Sequence, residues 1–413
     1  MIPEPADPSL TDAGLVRSVA ADLSVPRDDP ADSFVLHAPL ELLARATLLP
    51  LVTDDHRELA RARIADLGER FVASGPGIEP GPAPQADDFG SVAGAASQLG
   101  AALRGGDLDA VDEAGWWLAL HADPTQLRAV LARPVLTSLA AAAHAPIFLH
   151  LFPHAAATTG IGATPVRGLL REMARYPTWQ VSWIDDVPGA GPVDAVELDR
   201  VLSGTTDQGR GGSDFIQPTM DRVDGTGVAA ERLGPVTGTA TAEHARVLLR
   251  VAARSMLVDR PSAAPYGWTH CLTLPQAVTA LADVVDPDRA LRVAATEVLG
   301  FRAAIGDRPV PAAGFLARGG DVPGDPGLRL DDALRSGPAA AAGAAWHSTA
   351  PAVTVRAALA SAASAHQDAH LVKYTLACLD AAGADPGFGR LHLAAAASLI
   401  GWWAEGGRQD VVT

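Results

Sequence analysis

Residues 54–73 read DDHRELARARIADLGERFVA. Two aspartates open the stretch, and acids favour the N-terminal turn of a helix. Its apolar residues return every three or four positions, the spacing of one face of an α-helix. The pattern predicts helix throughout. The same period recurs at roughly 11–22, 35–49, 88–104, 107–121, 124–143, 164–175, 239–258, 271–284, 287–304, 352–381 and 388–404. Few stretches alternate with period two, and QVSWI at 180–184 is the nearest to a strand. The fold expected is all-α: a single large helical domain over residues 1–413, with long Gly/Pro-rich loops.

The interruptions define those loops. Residues 1–32 read as a partly disordered N-terminal segment, and 74–87 (SGPGIEPGPAPQAD) as an exposed loop. Residues 203–238 hold Gly and Asp clusters (TTDQGRGGSDF) and little periodicity, so a lid-like loop is expected there. Residues 306–327 are also rich in Gly and Pro. Alanine runs at Ala140 to Ala143, Ala339 to Ala342 and Ala394 to Ala397 permit close approach of helices. No repeat of 20 to 50 residues is visible.

Net charge is −16 and the pI is near 5.1, which argues against nucleic acid or an anionic membrane as partner. No charge-free apolar run reaches the length of a membrane span. The opening MIPEPADPSL is acidic and Pro-rich, unlike a signal peptide. Cys271 and Cys378 form neither a CxxC motif nor a disulfide framework. A cytoplasmic location fits these features. No GxGxxG follows a strand, GATPVRG at 162–168 is no Walker motif, and no GxSxG elbow occurs.

Lys373 is the only lysine among 32 Lys and Arg residues. Arg stays charged, whereas a buried Lys can lose its proton and act as a base, a nucleophile or an acceptor of CO2. His366, His370 and Lys373 stand at i, i+4 and i+7, one face if the segment is a single helix. The opposing reading is a lysine snorkelling to solvent beside two surface histidines. Several of the twelve histidines lie in apolar surroundings: His37, His144, His150, His154, His270 and His370. Taken singly, each reads more readily as a hydrogen-bonded core residue than as a ligand.

Four segments together resemble the questin oxidase-like family: HAPLELL (37–43), AHAPIF (143–148), THCLTLPQA (269–277) and DAHLVK (368–373). Their order along the chain matches as well. The chain departs from the family pattern at Leu36, Leu40 and Glu41. The family includes fungal enzymes that open the central ring of anthraquinones. One branch uses a mononuclear non-haem iron held by four histidines and a carboxylated lysine. The resemblance therefore implies His37, His144, His270, His370 and carbamylated Lys373 as ligands of Fe(II). His150 stands as an alternative to His144, and His366 as a further ligand or an outer partner. Asp368 and Glu41 read either as orienting groups behind the imidazoles or as cap and surface acids.

The implied activity is that of an O2-dependent oxygenase that oxidises or cleaves an aromatic polyketide. Catalysis would centre on Lys373, His270 and His370. Trp268, Trp183 and Trp346 are candidates for the substrate wall, since flat rings pack well on Trp faces. Trp179 lies in the same segment as Trp183, and large aromatics also simply fill gaps between Ala-rich helices. A Baeyer–Villiger-type branch would require NADPH, for which no nucleotide motif is seen. A metal-free helical binding protein is the rival from another class.

Overall fold

The computed structural model describes residues 3–27, 33–78, 81–137, 144–175, 194–207, 215–234, 241–259, 264–311 and 328–406. Among these the regular elements are helices, and the only β pairing is an isolated bridge between Arg27 and Gly77. The fold is all-α. Its contacts divide the chain into two compact units. Residues 1–50, 54–181 and 280–286 form the first; residues 51–53, 182–279 and 287–413 form the second.

The first unit holds α1 (Asp12–Leu23), α2 (Ser33–Leu48), α3 (Asp54–Ala73), α4 (Val92–Gly105), α5 (Leu108–His121), α6 (Pro124–Thr137), α7 (His144–Thr159) and α8 (Val166–Arg175). Helix α3 spans the stretch quoted at the outset. It buries Ala60, Ile64, Leu67 and Phe71, a stripe at spacings of four and three, and packs on α1. Each of its large side chains contributes roughly 1.5–3 kcal/mol of transfer free energy, opposed by ordering entropy. Helix α1 occupies the middle of the N-terminal segment read as partly disordered; Thr11 caps it by accepting the Gly14 N–H at 3.1 Å. Helix α2 packs on α7. The window Phe34–Leu51 has the length and hydropathy (1.3) of a membrane span, yet 78% of it is buried inside the protein. It also encloses the buried Glu41–Arg45 ion pair, so it behaves as a core helix.

The second unit holds α9 (Ala195–Ser203), α10 (Ile216–Thr226), α11 (Val228–Leu233), α12 (Ala242–Val258), α13 (Thr269–Ala280), α14 (Pro287–Ile305), α15 (Leu330–Ala333), α16 (Pro338–His347), α17 (Ala352–Ala365), α18 (Ala369–Ala384) and α19 (Gly389–Glu405). Ala280, the last residue of α13, is counted with the first unit. A π-helical turn, Ala264–Trp268, leads directly into α13. Helix α19 is the hub, touching α12, α16, α17 and α18. Its alanines Ala394 to Ala397 are fully buried, as the small-residue pattern predicts. At Gly401 a Cβ would stand 2.4 Å from the Gly337 carbonyl oxygen, so only glycine permits the close crossing with α16.

Residues 203–238 are not one open loop. Helices α10 and α11 lie within them, separated by Gly227 at φ 67°. Ile216, Met220, Val223, Ala229 and Leu233 supply two short apolar stripes that are too brief to stand out over a long window. Residues 208–214 and 235–240 of that segment lie outside the described residues, as do QVSWI at 180–184 and residues 312–327.

Candidate metal centre

In the second unit, Asp368 ends one helix and begins the next. Its side chain accepts the Leu371 N–H at 2.9 Å, capping α18. The cap places His370 and Lys373 in the first turns of α18, three residues apart and on one face. His370 is 8% exposed and Lys373 only 3% exposed. Lys373 therefore does not snorkel to solvent; it is buried, as His370 is.

The π turn brings the opposite wall. Tyr266 meets the His370 ring edge-on, with centroids 5.0 Å apart at 77°. His270, at the start of α13, meets the same ring at 5.0 Å and 81°. Phe301 of α14 stacks over His270 at 6.5 Å and 25°. A π turn is an uncommon departure from the α ladder and is often found at functional sites. Behind His370, Asp368 places a carboxylate oxygen 3.6 Å from Nδ1. Burial pushes the Asp368 carboxyl up, but the neighbouring His370 charge and the Leu371 N–H reverse this and hold it at about 2. An imidazole backed by a carboxylate is the usual arrangement at a metal ligand.

The first unit holds a second pair. His37 of α2 and His144 of α7 are buried, at 6% and 2% exposure. Their Nε2 atoms lie 2.9 Å apart and their rings meet at 73°. That separation is a hydrogen bond if one ring donates. It is also about the edge of a coordination polyhedron with metal–nitrogen bonds of about 2.1 Å. Glu41, one turn after His37, is bound to Arg45 at 2.7 Å. It serves an ion pair and not an imidazole.

The structure sorts the open alternatives. His144, not His150, meets His37; His150 lies six residues on, about 240° further round α7. Burial, with the Arg128 charge, pushes His150 down to about 4. His366 does not share the face of His370 and Lys373. It is the C-cap of α17, its ring 5.0 Å from Trp403, and its Nδ1 accepts the Asp368 N–H at 3.0 Å. The reason is the strong N-cap at Asp368, which breaks the pattern into two helices where spacing alone reads as one. Trp268 is fully buried, with the Arg302 guanidinium 5.5 Å from its ring centre. Trp346 ends α16, partly exposed, its carbonyl taken by Arg390. Trp179 and Trp183 lie outside the described residues. A cavity of about 250 Å³ is lined by Thr205, Thr219, Arg222, Arg232, Gly300 and Ala304 among others, and neither Trp268 nor Trp346 is among its described lining residues. Cys271 and Cys378 are buried thiols whose pKa burial raises, so neither is poised as a nucleophile.

One residue escaped the reading of the sequence. Glu297 of α14 is wholly buried, and burial pushes its carboxyl up to about 8. The signal was present: an acid set among Ala294, Val298 and Phe301 in an apolar helix.

The donor set of the second unit fits a first-row divalent metal. Two imidazoles, a buried lysine and a carboxylate behind one imidazole are groups that such ions can use. Comparisons of the chain with family models, with curated proteins and with solved structures find no match.

Proposed function

We propose that the protein is an O2-dependent, mononuclear non-haem iron oxygenase that oxidises or cleaves an aromatic polyketide such as an anthraquinone. It would be a relative of the questin oxidase-like enzymes. The observation that carries the reading is the burial of the chain's one lysine on the helix face of His370, whose ring meets that of His270 edge to face. The proposed ligands are His270, His370 and Lys373; the first unit carries its own candidate pair, His37 and His144.

Each residue has a definable task. His270 and His370 bind through neutral imidazole nitrogens. Lys373, buried in α18, would take up CO2 as its neutral amine, forming an N–C bond and releasing one proton to solvent, and so become a carbamate, an anionic oxygen donor. Asp368 fixes the orientation of the His370 ring, and Tyr266 and Phe301 hold the two imidazoles in place. Ferrous iron at such a site supplies the capacity to activate O2. The surrounding helices exclude water, which strengthens every charge interaction within.

The test is elemental analysis of the protein purified after growth with iron. The wild type should carry metal, and His270→Ala and His370→Ala should each lose it while keeping the helical far-UV spectrum. His37→Ala and His144→Ala test the first pair in the same way. Full metal content in the His270 and His370 variants would falsify the assignment. A wild type without metal would favour the helical binding protein.

A further inference from the structure

A divalent cation brings two positive charges into a site walled by buried side chains. Neutral imidazoles at His270 and His370 offset neither of them. A carbamate on Lys373 offsets one. An uncompensated charge in a low-dielectric interior is strongly disfavoured. Asp368 adds a negative charge only from behind the His370 ring, which leaves the His270 side of the centre without an acid of its own.

The buried acids of the second unit among the described residues are Asp259, Glu297 and Asp385. Asp259 is bound to Arg302, and Asp385 to Arg250 at 2.6 Å. Glu297 has neither a cation nor a hydrogen-bond donor on either carboxyl oxygen among the described residues. Its position is specific. It stands one turn before Phe301, the residue that stacks over His270. It lies close enough to the Cys271 thiol, next in sequence to His270, that a charge on it would push that thiol up. A carboxyl enclosed with no donor is a cost to the metal-free fold.

Resting on the metal reading above, we propose that Glu297 is a further anionic group of the centre formed by His270, His370 and Lys373, acting from the His270 side as Asp368 does from the His370 side. It helps to offset the charge of the bound divalent ion.

Cobaltous ion is the probe. It is titrated into the metal-freed, full-length protein in bicarbonate buffer. Affinity is read by calorimetry, the ligand field by visible absorption, and stability by the melting midpoint. Glu297→Gln keeps the size and removes the charge. It should weaken cobalt binding by about tenfold or more, the range seen even for outer partners of a metal. Its visible band should change, and its metal-free melting midpoint should match or exceed that of the wild type. Glu297→Asp keeps the charge on a shorter arm and should retain more affinity than Gln. Equal affinity and an equal spectrum in Glu297→Gln overturn the proposal and leave the metal reading standing. Equal losses in Gln and Asp also overturn it, because the position then matters for shape and not for charge. A wild type that binds no cobalt overturns the metal reading and this proposal together.

Discussion

Lys373 shows what one side chain can and cannot exchange. The buried arginines Arg250, Arg254 and Arg302 each lie against an acid: Asp385, Asp199 and Asp259. The interior therefore accepts a permanent cation where a carboxylate meets it. Lys373 lies on the face of α18 that carries His370. Lys373→Arg keeps the charge of the ammonium form but removes the option of a neutral amine. A guanidinium there can neither take up CO2 nor ligate a cation, and it repels one. The variant should purify without metal and keep its helical far-UV spectrum. Lys373→Ala with added formate or acetate should recover part of the metal binding, since a free carboxylate can take the place of the carbamate. Normal metal content in Lys373→Arg would sink the carbamate assignment. Lys373 was set apart in the sequence, because a single lysine against a background of arginine is a compositional anomaly, but its burial was not legible there. The burial of Glu297 was not legible either, since one acid in a helix of nineteen residues reads as a solvated position.

At the scale of the element, caps and small residues decide where helices start and how closely they cross. Asp368→Ala removes a cap bond, which costs about 1 kcal/mol, and frees the His370 ring from its carboxylate. Urea denaturation should show that loss, and metal affinity should fall as well. Unchanged affinity would confine Asp368 to capping. Gly401→Ala probes the crossing of α16 and α19, where the new methyl group would press on backbone atoms of Gly337. Overpacking of this kind costs roughly 1–3 kcal/mol, and an unchanged urea midpoint would show that α16 can move aside. Much of the helix map was readable from period alone, as α3 shows. The misreadings share a physical cause. His366 was placed on the α18 face because periodicity continues through Gln367 and Asp368, although the cap turns the chain there. Helices α10 and α11 were read as loop because each is short and flanked by glycine. The histidine pairs were readable as motifs, but the choice of His144 over His150 depends on helix crossing, which sequence spacing does not contain.

For the whole molecule, acid tests how the interior handles buried bases. His392 of α19 is fully buried. Burial pushes its pKa down to about 4, with Arg250 adding to this and Asp385, 4.0 Å away, opposing it. In the unfolded chain the same histidine titrates near 6.5. Between those values the unfolded state binds the proton and the folded state does not. Stability is therefore retained in full above about pH 6.5 and falls as pH drops toward 4. The whole gap amounts to about 3 kcal/mol, roughly 2 kcal/mol of it by pH 5. Other groups titrate over the same range, and His150 shifts in the same direction, so the comparison must be with a variant. His392→Gln removes this one proton site and keeps a polar side chain of similar reach. Urea denaturation at pH 7.5 and pH 5 should show the wild type losing roughly 2 kcal/mol more than the variant. Equal losses would mean that His392 accepts its proton as readily in the folded protein as in water. Asp385 would then be its effective partner, and the Asp385–Arg250 pair would have to loosen to receive it.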